Sequence, residues 1–152
     1  MAAPLEAKRP AALRLTRTVA APREKVFRAW TDPKTLSLWF APSEKYVTRV
    51  PQLEAREGGR YRIEMTLDGR PHRVSGTYRE VRFPERLVFT WQWENEPDRS
   101  GSFDTVVTIE FHDRGGETEL VLTHEGFVTE TDREEHDKGW KACLDRLGPA
   151  VA

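Results

Sequence analysis

Thr118-Glu119-Leu120-Val121-Leu122-Thr123-His124, followed by Glu125-Gly126-Phe127 and a long helical pattern through Val151, is the stretch that decides the fold. Its first part alternates as a strand does. Its second part carries His136, Trp140, Leu144, Leu147 and Val151 on one stripe, with Cys143 at the edge. Thr131 with Glu134 three residues later has the form of a capping box, which predicts a helix start near residue 132, and Gly148-Pro149 predicts its end. A helix over 132–147 is about 24 Å long at 1.5 Å per residue, enough to lie across a sheet. This is a last strand feeding a closing helix, and everything upstream consists mostly of strands with one apolar face that needs such a cover.

Working outward, Leu13, Leu15 and Val19 alternate with Arg14, Thr16 and Thr18, which predicts a first strand. Pro22 is suited to open a helix whose apolar side is Val26, Phe27 and Trp30, and this helix should stop at Asp32 because Pro33 follows. Pro33 opens a second short helix with Leu36, Trp39 and Phe40 on one side. Gln52 to Arg56 reads as a weak strand ending at Gly58-Gly59. Tyr61, Ile63, Met65 and Leu67 then make a half-buried strand, and Asp68-Gly69 turns it into a partner strand carrying Val74, Gly76 and Tyr78. The heaviest strand holds Leu87, Phe89, Trp91 and Trp93 on one face. Glu94 to Ser102 reads as a polar loop, and Thr105, Val107, Ile109 and Phe111 form the strand before Gly115-Gly116.

With 152 residues, 38% of them hydrophobic, the chain can bury a core without covalent staples and reads as one domain, 13–152, behind a disordered tail, 1–12. No apolar run is long enough to span a membrane, and the first residues lack the apolar segment of a secretory signal. The lone Cys143 precludes an internal disulfide and points to the cytoplasm. A net charge of −1 argues against a nucleic-acid partner. Arginines from Arg56 to Arg86 are interleaved with Glu57, Glu64 and Glu80, as on the solvated face of a sheet, while Glu130, Asp132, Glu134, Glu135 and Asp137 crowd the late segment.

Two stretches carry a family resemblance. Arg17-Thr18-Val19-Ala20-Ala21-Pro22-Arg23-Glu24-Lys25-Val26-Phe27-Arg28-Ala29-Trp30-Thr31-Asp32-Pro33, with Trp39-Phe40 soon after, resembles the start of bacterial proteins similar to the activator of heat-shock protein 90 ATPase. Leu122-Thr123-His124-Glu125-Gly126-Phe127 and Gly139-Trp140-Lys141-Ala142-Cys143-Leu144-Asp145-Arg146-Leu147 resemble that family's end. The resemblance covers 13–148 and implies the helix-grip fold of the START-like, Bet v 1-like superfamily. That is an α+β domain in which a curved antiparallel sheet of six to seven strands wraps a long C-terminal helix, with two short helices after the first strand. It also implies a cavity between sheet and helix, where relatives bind lipids, hormones or polyketides and some act as cyclases. The eukaryotic chaperone activator carries a further N-terminal domain for which this chain has no room.

In that frame the inward registers nominate a pocket lined by Met65, Gly76, Tyr78, Phe89, Trp91 and Trp93 from the sheet and by His124, Trp140 and Leu144 from the closing stretch. Trp39, with Trp30 and Phe40, is expected near its mouth, and Gly76 is read as a sign of space on the inner face. The same side chains could instead form a solid core. The leading expectation is a protein that binds a hydrophobic aromatic or acyl molecule, without catalysis or cofactor. The alternatives are a cyclase or hydrolase using Tyr78, His124 and Glu64 as proton carriers, and a chaperone-contacting module. His72, His112, His124 and His136 show no metal-binding spacing. Monomer and dimer both remain open.

Overall fold

The computed structural model describes residues 11–94 and 105–152. The expected N-terminal tail and polar loop fall largely outside them. Strand β1 (Leu13–Val19) leads through helices α1 (Arg23–Thr31) and α2 (Pro33–Trp39) into six further strands. These are β2 (Val47–Leu53), β3 (Arg60–Leu67), β4 (Arg70–Arg82), β5 (Arg86–Glu94), β6 (Thr105–Arg114) and β7 (Glu117–Glu125), and helix α3 (Glu130–Val151) closes the chain. The seven strands form one curved antiparallel sheet in the order β1-β7-β6-β5-β4-β3-β2. Consecutive strands from β2 to β7 are therefore neighbours, and the segment holding α1 and α2 joins the two edges.

Local chemistry explains the joints. Asp68 and Gly69 both adopt positive φ, 50° and 77°, as a two-residue hairpin turn demands. The Asp32 carboxylate accepts from the backbone N–H and the hydroxyl of Thr35, at 3.0 and 2.7 Å, and so caps α2. The same two bonds hold its carboxyl below the usual range.

Three boundaries differ from the reading of the sequence. Helix α3 starts at Glu130 because Thr129, not Thr131, is the cap: its hydroxyl accepts from the Asp132 N–H at 3.1 Å. It also runs through Gly148 and Pro149, making 22 residues, or about 33 Å. Proline there forfeits one bond in the last turn, while Leu147 and Val151 stay buried against the core and hold that turn in place. Strand β2 begins at Val47, ahead of the expected Gln52; Pro51 hid it, and the ladder to β3 is irregular between Arg49 and Gln52, where an edge strand tolerates proline.

The core lies between the concave face of the sheet and α3. Asp132, His136, Trp140, Cys143, Leu144, Leu147 and Val151 make the buried stripe of the helix. Facing them are Leu13, Leu15, Val74, Leu87, Val107, Ile109, Phe111, Leu120 and Leu122, with α1 and α2 closing one end through Val26, Phe27, Trp30, Leu36 and Trp39.

Candidate functional site

Between α3 and the β3–β5 half of the sheet the core does not close, and a cavity of about 170 Å³ remains. Phe40, Ala41, Pro42 and Tyr46 of the α2–β2 segment border it, with Met65 of β3, His72 of β4, and Trp91 and Trp93 of β5. Helix α3 contributes Glu135, His136, Gly139, Trp140 and Cys143. An apolar void of about 150 Å³ holds a benzene-sized molecule, so this one has room for a small aromatic ligand.

Hydrogen bonds fix the orientation of the rings. Trp140 donates its indole N–H to His124 Nδ1 at 3.0 Å, and Trp93 donates to His136 Nε2 at 2.8 Å. An indole is only a donor, so each accepting nitrogen carries no proton. The N–H of His124 is thereby placed on Nε2, facing the Thr105 hydroxyl at 2.6 Å, and Thr105 donates onward to the Trp91 carbonyl at 2.8 Å. His136 places its Nδ1 2.8 Å from the Asp132 carbonyl and 3.3 Å from its carboxylate. His124 is 0% exposed, and burial, together with the nearby His136, holds its pKa well below the ordinary histidine value. Both of its nitrogens are engaged, so it orients Trp140 and is not free to shuttle a proton to a ligand.

Burial shifts two further groups, Tyr78 and Cys143. Burial raises the Tyr78 hydroxyl above its usual range and pushes the Cys143 thiol up to about 12, which leaves that thiol un-ionised and unreactive at neutral pH. Glu64 pairs with Arg73 at 2.8 Å, on the register of β3 opposite to the buried Ile63 and Met65, and so stands apart from Tyr78 and His124. Among the described residues no cluster of His, Cys, Asp and Glu could hold a metal ion.

Of the residues nominated from sequence, Met65, Trp91, Trp93 and Trp140 line the cavity, and His124 stands behind Trp140. Tyr78 and Phe89 lie deeper, with Trp30, Tyr61 and Trp91 around a void of only about 10 Å³. Leu144 is core. Trp39, expected near the mouth, is 0% exposed and donates to the Ala29 carbonyl at 3.0 Å, welding α2 to α1. Gly76 does not open onto the cavity: a Cβ there would overlap the Thr90 carbonyl. The glycine permits close approach of β5, and Tyr61, paired opposite it on β3, reaches across to donate its hydroxyl to that same carbonyl at 2.6 Å.

Tyr46, His72, Glu135 and Gly139 line the cavity without having been nominated. The signal for Gly139 was in the sequence: a glycine within a helix gives up about 1 kcal/mol, and here it leaves the helix surface open, with nothing within 4 Å of where its Cβ would stand.

The fold has known counterparts. The family model described as Activator of Hsp90 ATPase homolog 1-like protein matches residues 20–152. The chain belongs to this family. Its fold superposes on a crystal structure of protein CV1439 from Chromobacterium violaceum with a TM-score of 0.81 and 30% identity, covering 92% of this chain and 96% of that one. The AHSA1 protein from Silicibacter pomeroyi superposes with a TM-score of 0.77 and 28% identity, over 91% and 96% of the two chains. The human Activator of 90 kDa heat shock protein ATPase homolog 1 is 31% identical over 114 residues, which are 73% of this chain. The match spans 31% of the length of that human relative. The Activator of Hsp90 ATPase homolog 1-like domain described here thus keeps the helix-grip architecture of the START-like superfamily. Among its described residues no helix is long and apolar enough to cross a membrane.

Proposed function

We propose that this domain binds a small hydrophobic molecule in the cavity between α3 and the sheet. The observation that carries the reading is the unfilled volume of about 170 Å³ bordered by Phe40, Trp91, Trp93 and Trp140, against a void of only about 10 Å³ deeper in the core. The ring positions are set in advance by the His124 and His136 acceptors, so a ligand meets a preformed wall and little ordering opposes binding. Tyr78, His124 and Glu64, the proton carriers named for a cyclase or hydrolase, do not line this space, which favours holding a molecule over transforming it. Titration with tert-butylbenzene and with phenyltrimethylammonium, followed by the fluorescence of the lining tryptophans, tests the reading: a saturable change with either supports it, and no saturable change with either of them or with benzoate refutes it.

A second reading follows from the human relative, an activator of a 90 kDa heat shock protein ATPase, and makes this domain a chaperone-contacting module. It predicts that the purified chain raises the ATPase rate of such a chaperone or binds it measurably; neither effect at tens of micromolar would end it.

A further inference from the structure

We infer that the cavity selects organic cations, small ammonium-bearing molecules of about the size of a substituted benzene, over neutral molecules of the same shape and over anions. The inference rests on the reading of this cavity as a ligand site, and two separate observations carry it.

The first is the way the aromatic walls are turned. Trp91 and Trp93 stand at 89° with centroids 5.5 Å apart, and Phe40 and Trp140 at 84° and 5.7 Å. Trp91 and Trp140 are tilted by 49° at 4.9 Å. Walls at near right angles make a box rather than a stack. The positive edge of an indole is its N–H, and here the N–H groups of Trp93 and Trp140 are taken up by His136 and His124, while that of Trp91 is buried without a hydrogen-bond partner. What remains for a ligand is mostly ring carbon, beside the polar atoms of Tyr46, His72 and Trp91, and a negative π face attracts a cation within about 6 Å of the centroid.

The second is charge. Glu135 is the only Asp, Glu, Lys or Arg among the described lining residues. It is exposed, at the rim, where it can meet the ammonium group without being desolvated itself. A carboxylate or phosphate ligand would leave water for a space that offers it no Lys or Arg, and burying an unpaired anion is strongly unfavourable. The site is therefore discriminating by sign: the rings and the carboxylate act together on a cation and against an anion.

Phenyltrimethylammonium, tert-butylbenzene and benzoate test this, since the first two have nearly the same shape and differ in charge. With the full chain at pH 7.5, tryptophan fluorescence and calorimetry should give phenyltrimethylammonium an affinity at least about tenfold above that of tert-butylbenzene, with benzoate weakest. The ratio of the first two should fall several-fold in Glu135→Gln and close to unity in Trp93→Leu. Binding of tert-butylbenzene as tight as that of the cation, or of benzoate tighter than the cation, overturns the inference and leaves the ligand site standing. Failure of all three to bind overturns both.

Discussion

Trp140 on α3 and His124 on β7 share one hydrogen bond, 3.0 Å from indole N–H to Nδ1, and it decides the protonation of the most deeply buried histidine in the protein. The bond needs a neutral ring. Proton uptake at Nδ1 would set two N–H groups against each other at a fully buried site, so the pair links the packing of the helix to pH.

The direction of that linkage is fixed. The pKa of His124 in the folded chain lies well below 6.5, the ordinary value. Above about pH 6.5 neither folded nor unfolded chains bind this proton, and stability is full. As pH falls below that, only the unfolded chain takes it up, and stability is lost at up to about 1.4 kcal/mol per pH unit until the depressed pKa is reached. Urea unfolding at pH 7.5, 6.5, 5.5 and 5.0 should show this decline, and it should be shallower in His124→Asn, whose amide oxygen can still accept from Trp140. Equal slopes for the two proteins would remove His124 as the cause.

Trp39 and Trp93 should respond differently to truncation. Trp39 is 0% exposed and bonded to the Ala29 carbonyl, so Trp39→Ala should cost about 3–5 kcal/mol, the figure for a fully packed aromatic. Trp93 is only partly buried and borders the void, so Trp93→Ala should cost less than about 3 kcal/mol. Matching losses in chemical unfolding would mean that the space beside Trp93 is closed in solution.

The glycines divide in the same way. Gly76→Ala places its methyl group on the Thr90 carbonyl and should destabilise by about 1–3 kcal/mol or more. Gly148→Ala, inside α3 with nothing within 4 Å, should stabilise by about 0.5–1 kcal/mol. Thermal melts of the two variants should move in opposite directions.

Arg146 ties α3 to the segment that borders the cavity. Its guanidinium donates to the carbonyls of Leu38, Trp39, Ala41 and Ser43 at 3.2–3.4 Å. The contacts are long and partly exposed, so Arg146→Ala should cost only about 1 kcal/mol. Its clearer effect should be faster amide exchange over 38–46, with Lys, a point donor, restoring little of the protection.

Strand order, the two short helices and the buried stripe of α3 were legible because each rests on a strong period: Leu120-Val121-Leu122 and Phe89-Thr90-Trp91 alternate, and His136, Trp140, Leu144 and Leu147 recur every three or four residues. The extent of α3 was not, because Thr131 with Glu134 has the form of a capping box while the structure caps the helix at Thr129, and only the packing of Leu147 and Val151 carries the helix through Pro149. The site was legible in part. Inward register nominated Met65, Trp91, Trp93 and Trp140, which border the cavity, yet register cannot separate a side chain at a void from one in solid packing, which is why Trp39, Phe89 and Leu144 were nominated too. Gly76 misled for a physical reason: a strand glycine signals close approach, and what approaches is the β5 backbone, not a ligand. Tyr46 and Glu135 have no periodic signature that marks them as lining, since one sits on a connection and the other on an exposed helix turn.

Gly139 offers the most direct test of the cavity. A leucine there extends into open space from a helix that gains by losing its glycine, so the fold should be kept while the void is filled. Titrating phenyltrimethylammonium and tert-butylbenzene into the natural chain and into Gly139→Leu should show saturable binding to the first and at least about tenfold weaker binding to the second, with melting temperatures within a few degrees. Binding that is undiminished in Gly139→Leu, or absent from the natural chain, would contradict a ligand held between α3 and the sheet.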